Sequence, residues 1–469
     1  MRRTIRWLLS LTVLIGTVSV GGVSVSAATA DDTDIKDRIL AIKGMSIIEE
    51  KPAEGYRFFL LNYEQPVDHR HPEKGTFKQR ISLLHKSEDR PTVFFTSGYG
   101  LNDKPARSEP TQMVDGNQVS MEYRYFTPSR PEPADWSKLN IRQAADDQHR
   151  IFKALKKIYG QRWVSTGGSK GGMTATYYRR FHPDDMDGTV AYVAPNDVRN
   201  DEDSAYYDFF EEVGTKKCRD RLNSTQHEIF ERRGEMVKRL KKFAKEGKLT
   251  FKLAGSADKA FELVAQDLVW GFWQYHLEAE ECGDVPSKDA KTGELFDWAN
   301  EIGGWEAGAD QGMLPYTPYY FQAGTQMGSP DYESPLLDDV RKYPGLNTPR
   351  TYVPREIPMK FERNAMKEID TWVRKNASQM LFVNGESDPW SAEAFSVGKG
   401  TEDAHVFVAP GANHGANIAG LSKGDKAAAT SALLKWADVE PAKGAQPKRL
   451  TKYDADLDRP VKQERTLRP

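Results

Sequence analysis

Residues 166–183, TGGSKGGMTATYYRRFHP, set four glycines around one serine and then run into a helical pattern. Upstream, residues 163–165 read as the end of a short strand, and from Met173 onward the spacing is helical. A chain that turns from strand to helix this quickly needs small residues at the crossing, because side chains there would collide. Gly167-Gly168-Ser169-Lys170-Gly171 also fits G-x-S-x-G, the strained turn that projects a serine hydroxyl at the end of a strand. The pattern alone is weak, since both residue types are common. Its position between strand and helix nominates Ser169 as a nucleophile against the plainer reading of an ordinary turn. A phosphate-binding loop is excluded: the spacing G-x-x-x-x-G-K-[ST] is absent, and Lys170 follows the serine directly.

The surrounding rhythm agrees. YRFFLLNYEQPVDH and KGTFKQRISLLHK read as two strands joined by a Pro/Asp/His turn, followed by the strands PTVFFTSGYG and QVSMEYRYF. NIRQAADDQHRIFKALKKIYG reads as a helix ending in Gly160, and GTVAYVAPND as another buried strand. Strands alternating with helices predict an α/β fold with a mostly parallel sheet. From about residue 204 to 350 the chain is rich in Lys, Glu, Trp and Tyr and reads as long helices, an inserted helical cap. The core then resumes with EIDTWVRKNASQMLFVNGESDPWS, AHVFVAPGANHGANIAGL and the helix KGDKAAATSALLKWAD. The boundaries are a leader at 1–30, core at 31–203, cap at 204–350, core again at 351–440, and a charged, extended surface tail at 441–469.

The leader has a basic start (Arg2, Arg3, Arg6), an apolar run over 7–20 and small residues before Ala27 and Ala30. This is a secretory signal pattern, so the expectation is an extracellular protein with no membrane attachment after cleavage. The alternative, a membrane anchor, is disfavoured by the shortness of the apolar core. A net charge of -2, from 66 basic and 68 acidic residues, gives no reason to expect nucleic acid or an anionic membrane as partner. Cys218 and Cys282, the only cysteines, suggest one disulfide in an oxidising compartment. Neither has a neighbouring Cys or His at ligand spacing, so no metal and no cofactor are expected.

A serine hydroxyl needs a base, and in this fold class the order along the chain is Ser, then Asp or Glu, then His. His276 lies in an aromatic helix of the cap and His405 opens a strand; both read as structural. His414, in the glycine-flanked loop GANHGAN after that strand, is placed as a general base should be in an open α/β sheet. The acid should follow the preceding strand, where NGESDPWS supplies Asp388 and, as a lesser candidate, Glu386. Asp388 would hold the imidazole tautomer. The oxyanion donors would be the backbone N–H of Lys170 and one from the loop FFTSGYGL, with Gly98 and Tyr99 as candidates.

Taken together, EYRYF, GGSKGGMTA, NGESDPWS, GANHGAN and YYFQAGTQMG resemble secreted bacterial serine peptidases, the prolyl tri/tetrapeptidyl aminopeptidases, relatives of prolyl carboxypeptidase and dipeptidyl peptidase II. The resemblance covers residues 55–438. It implies an α/β-hydrolase fold with a helical cap, Ser169 with Asp388 and His414, and release of short peptides from free N-termini, often after proline. In the dipeptidyl peptidase relatives a glutamate stands where this chain has Gln326. An aminopeptidase must recognise an ammonium, which a carboxylate would do. Glu122 is one candidate and Glu211 and Glu212 are others; Glu122 could equally pair with Arg124 or another core arginine. Trp273, Gln322 and Trp390 are further substrate contacts to test. The aromatic group Trp270, Phe272, Trp273, Tyr319, Tyr320 and Phe321 suits either a prolyl pocket or cap packing. A peptidase acting as a monomer is the preferred reading. The rivals are a secreted esterase or lipase with the same triad, and a hydrolase-like binding protein without catalysis.

Overall fold

Strands buried on both faces show no alternation of apolar and polar residues, and the centre of this sheet is made of such strands. The computed structural model describes residues 33–440 together with Asp454, Leu457 and Asp458. Its sheet has nine strands among the described residues: β1 (Met45–Ala53), β2 (Tyr56–Pro66), β3 (Thr76–His85), β4 (Thr92–Thr96), β5 (Asn117–Met121), β6 (Trp163–Gly168), β7 (Gly188–Tyr192), β8 (Ser378–Gly385) and β9 (Glu402–Ala409). Their order is β1-β2-β3-β5-β4-β6-β7-β8-β9. The first three and β5 pair antiparallel, and from β5 through β4 to β9 every pairing is parallel. This is the α/β-hydrolase arrangement. Strand β1 and the short helix Ile35–Leu40 were not anticipated: β1 is a sheet edge whose largely exposed residues, SIIEEK among them, carry no clean period.

The strand read as QVSMEYRYF ends at Met121. Beyond it Tyr123 N–H bonds to Tyr99 O at 2.9 Å, which draws the chain off the ladder toward the loop after β4. The two faces of the sheet are sorted by the pleat. Val93, Val164, Val190, Leu381 and Val383 face the helices Glu109–Val114 and Lys423–Trp436. Phe94, Trp163, Ala191 and Phe382 face the side of Ile141–Leu155, Lys170–Phe181 and Ala365–Asn376.

The insertion is helical, with Ser204–Glu212, Lys216–Glu231, Arg233–Gly247, Ala257–Gln266, Leu268–Tyr275 and Thr292–Ile302 as its main elements. Its buried residues (Leu222, Ile229, Leu240, Phe261, Trp305) join the same apolar cluster as the second sheet face, so the cap is welded to the core. Cys218 and Cys282 form the expected disulfide across 64 residues. In the chain-entropy account a loop of that size contributes about 4 kcal/mol. Among the described residues no helix is long and apolar enough to cross a membrane. The leader lies outside the described residues. Most of the tail does too, but Leu457 is buried against Tyr56, Phe58, Leu60 and Leu84, and Asp458 pairs with Arg107 at 2.6 Å. At those two residues the chain is docked rather than on the surface.

Candidate active site

The glycines around Ser169 are there because backbone meets backbone. A Cβ at Gly167 would lie 2.4 Å from Thr96 O, and one at Gly171 would lie 2.2 Å from the same oxygen. At Gly168 a Cβ would meet only Tyr192 Cβ, at 4.0 Å, so that glycine is not forced. Ser169 itself has φ 56° and ψ -128°, a left-handed conformation that costs a non-glycine residue about 1–3 kcal/mol. It is held there by its N–H to Tyr192 O at 2.9 Å and by its carbonyl, which accepts from Met173 N–H at 3.0 Å. Lys170 occupies the first helical position, where a backbone N–H has no acceptor within the helix.

At the far side of the parallel sheet, His414 Nδ1 bonds to Asp388 Oδ2 at 2.7 Å, and both side chains are fully buried. Asp388 also accepts from Trp390 N–H at 3.1 Å and from Ser391 Oγ at 3.2 Å. The histidine loop comes close to β8 because Gly385 lacks a side chain: a Cβ there would sit 2.4 Å from Asn413 O. The cap pins the same loop, since His414 N–H donates to Gln274 O at 3.0 Å. His414 Nε2 is buried and has no hydrogen-bond partner among the described residues. With Nδ1 donating to a carboxylate, Nε2 is the nitrogen left to take up a proton. Glu386 does not touch His414; it accepts from Gly411 N–H at 2.6 Å and braces the loop. The His276 ring is paired with Glu281 while its carbonyl accepts from Asn413 Nδ2 at 3.3 Å, beside His414, and the His405 ring is paired with Asp403.

A family model described as PS-10 peptidase S37 matches residues 28–469. The chain belongs to the S37 peptidase family. It is 57% identical to the prolyl tri/tetrapeptidyl aminopeptidase of Streptomyces mobaraensis, over all of both chains. Lysosomal Pro-X carboxypeptidase of Mus musculus is 29% identical over 31% of this chain and 33% of its own length. Among solved structures, the proline iminopeptidase of Mycobacterium smegmatis aligns over 80% of this chain and 98% of its own at 12% identity, with a TM-score of 0.34. That likeness is too distant to bear on activity.

In this S37 chain the loop after β4 departs from the sequence expectation. Gly98 N–H donates to Thr96 Oγ1 at 3.0 Å and Tyr99 N–H to Ser97 Oγ at 3.1 Å. Hydroxyls two residues back thus satisfy both backbone donors proposed for the oxyanion. Gly98 is needed for another reason: at φ +78° it packs flat on the nucleophile helix, where a Cβ would lie 2.8 Å from Lys170 C. It is the phenol of Tyr99 that reaches Ser169. Burial, with Tyr319, Tyr275 and Tyr316 around it, holds that hydroxyl well above its ordinary pKa, so it stays a donor. Tyr275 also stands 6.4 Å, ring to ring, from His414, which ties the serine's surroundings to the histidine's.

Lys170 carries more than a backbone donor. Its ammonium lies 3.3 Å from the centre of the Tyr123 ring, and among the described residues no carboxylate pairs with it. Burial pulls its pKa well below the usual lysine value. Gln322 donates to the Tyr123 hydroxyl at 3.0 Å and leaves its carbonyl oxygen buried without a partner. Trp390 stands 6.3 Å from His414 and 5.1 Å from Trp270. These two expected contacts are brought to the site; the others are not. Glu122 is fully buried and taken up by Arg80 (2.6 Å), Ser129 Oγ (2.6 Å) and Leu101 N–H (3.1 Å), so it holds the loop after β4 and is not open to a ligand. Trp273 packs inside the cap against Gly214. Glu211 and Glu212 are exposed at the end of a cap helix. Gln326 caps the helix Ile141–Leu155 by accepting from Ile141 N–H at 2.8 Å, and donates to Glu362 at 2.9 Å. Tyr275 and Tyr316 were missed, because a tyrosine in an aromatic-rich cap carries no motif.

Proposed function

We propose that this chain is a secreted prolyl tri/tetrapeptidyl aminopeptidase that releases short peptides from free N-termini, favouring proline at the cleaved bond. The end-to-end similarity at 57% identity to an enzyme of that name carries the reading. The chemistry follows from the residues. Ser169 Oγ attacks the carbonyl of the third or fourth residue, and His414 Nε2 takes its proton. Asp388 fixes the tautomer and stabilises the imidazolium. Negative charge developing on the carbonyl oxygen is met by Lys170 N–H and by the Tyr99 phenol. His414 then protonates the leaving amine, and water repeats the sequence on the acyl-enzyme to free the peptide. The signal pattern and the Cys218–Cys282 disulfide support an extracellular enzyme.

The test is turnover of Ala-Ala-Pro-anilide beside its N-acetylated form and a short-chain nitrophenyl ester. The free peptide is expected to be the best substrate, and Ser169→Ala to abolish its cleavage. Equal cleavage of the acetylated peptide, or strong preference for the ester, would overturn the assignment.

A further inference from the structure

Where β7 ends, a second carboxylate is buried without a hydrogen-bond partner among the described residues, and a half-buried one approaches it. Asp197 is 6% exposed, and neither of its oxygens has a hydrogen-bond partner among the described residues. The Ser329 N–H leans toward it but is committed to Asn200 Oδ1 at 2.7 Å. Glu393 approaches from the loop that carries Asp388: Asn196 N–H bonds to Glu393 O at 2.8 Å, and Pro195 bridges to Ala394. The charge of Asp197 acts on Glu393. Arg199, the nearest cation in sequence, is engaged by Glu202 at 2.7 Å. The cap closes over the pair through Gly328, where the backbone sits so near that a Cβ would lie 2.5 Å from Asp197 Oδ2. A buried carboxylate normally costs several kcal/mol unless it is paired. A fold that keeps one unpaired, at the junction of core, cap and acid loop, is arranged for a cation that arrives from outside.

The position suits a peptide's amino end. Ala194 lies against the nucleophile helix, its Cβ 3.0 Å from where a Cβ at Gly172 would stand. Asp197 follows three residues later, a path of at most about 11 Å. An extended acyl segment of three or four residues spans about 10 to 14 Å. Asp197 is also close enough to act on the phenol of Tyr177, which senses Tyr123 and Tyr319 of the site as well. Burial raises the pKa of Asp197 to about 7 and that of Glu393 to about 8, as expected for acids whose counter-charge is missing.

We infer that Asp197 and Glu393 bind the α-ammonium of the substrate and so measure the length of peptide released from Ser169. This rests on the aminopeptidase reading and names the group that makes the enzyme an exopeptidase. An ammonium offers three donors to two carboxylates, which suits charge-assisted hydrogen bonds in a dry site.

The experiment compares kcat/KM for Ala-Ala-Pro-anilide with a free and with an acetylated N-terminus, in wild type, Asp197→Asn and Glu393→Gln. Labelling of Ser169 by a fluorophosphonate, which has no amino end, reports that each variant is folded. The expected result is that the free-over-acetylated preference falls at least 30-fold in each labelled variant, carried by KM more than by kcat. If Asp197→Asn is not labelled, the half-buried Glu393→Gln decides alone. A preference unchanged in the labelled variants would overturn the assignment of this pair and leave the aminopeptidase standing. Absence of any preference in wild type would overturn the aminopeptidase reading itself, and this proposal with it.

Discussion

Two buried carboxylates flank the C-terminal edge of the sheet and are treated oppositely. Asp388 is surrounded by donors: His414, Trp390 N–H and Ser391 Oγ all point at it. Asp197, almost as deeply buried, has none at bonding geometry. The desolvation penalty is similar in kind for both. In the first case it is offset within the fold, and the carboxylate is spent on orienting an imidazole. In the second it is left outstanding, and the acid stays poised to protonate. An acid with internal partners is a positioning group; an acid without them is where we propose that a ligand's cation binds.

The comparison is broken most severely on the Asp388 side. Ser169→Ala or His414→Ala should each lower kcat by on the order of 10^6, and combining them should add little, because the residues act as a unit. Measured turnover of the free tripeptide anilide with each single and double variant checks this. Asp388→Asn keeps the shape and the turn at Pro389 but reverses the polarity that His414 Nδ1 sees. A loss of about 10^4-fold in kcat is expected, with little change in KM. A loss of only a few-fold would mean that His414 is oriented by the cap through Gln274 and not by the acid.

Next in size is a purely steric prediction at the turn. Gly171→Ala places a methyl 2.2 Å from Thr96 O, a backbone atom that cannot swing away, whereas Gly168→Ala meets nothing closer than 4.0 Å. The first should destabilise by about 3 kcal/mol or more and the second by much less, read from denaturant midpoints. Equal effects would show that the strand and helix can part at that crossing.

The glycines of this turn show what the sequence could and could not tell. The requirement for glycine at 167 and 171 was legible because strand, turn and helix are consecutive, and so was the order Ser, Asp, His. The parallel strands were legible as apolar runs, while the edge strand β1 had no period to read. In the loop after β4, glycine content points to Gly98 and Tyr99 N–H as free donors. Thr96 and Ser97 are each two residues upstream and compete for exactly those groups, a matter of local geometry that glycine content does not reveal. For Glu122 the sequence offers a ligand role or a core arginine, and it is Arg80, on β3 and 42 residues away, that takes it up. The approach of the Glu393 loop to the chain around Asp197 is longer-range still, since the whole cap is inserted between them.

The smallest predicted effect is also the one that reads the outstanding penalty directly. Unfolded, Asp197 and Glu393 titrate near the ordinary value of about 4. Folded, burial lifts them to about 7 and about 8, with Asp201, Glu202 and Asp203 adding like charge and Arg199 opposing it. Between those limits the folded protein holds more protons than the unfolded chain. The pair's contribution is therefore complete below about pH 4 and is lost as pH rises through 7 and 8. Asp197→Asn removes its share, so the fall in Tm between pH 5 and pH 8 should be smaller in the variant than in wild type by a few degrees, roughly. A bound cation should do the same in wild type. Ala-Ala-Pro with a free amino end ought to raise Tm more at pH 8 than at pH 5, and its acetylated form ought to show no such difference. If both peptides stabilise alike at both pH values, the proton deficit lies elsewhere, and Asp197 is merely a tolerated burial.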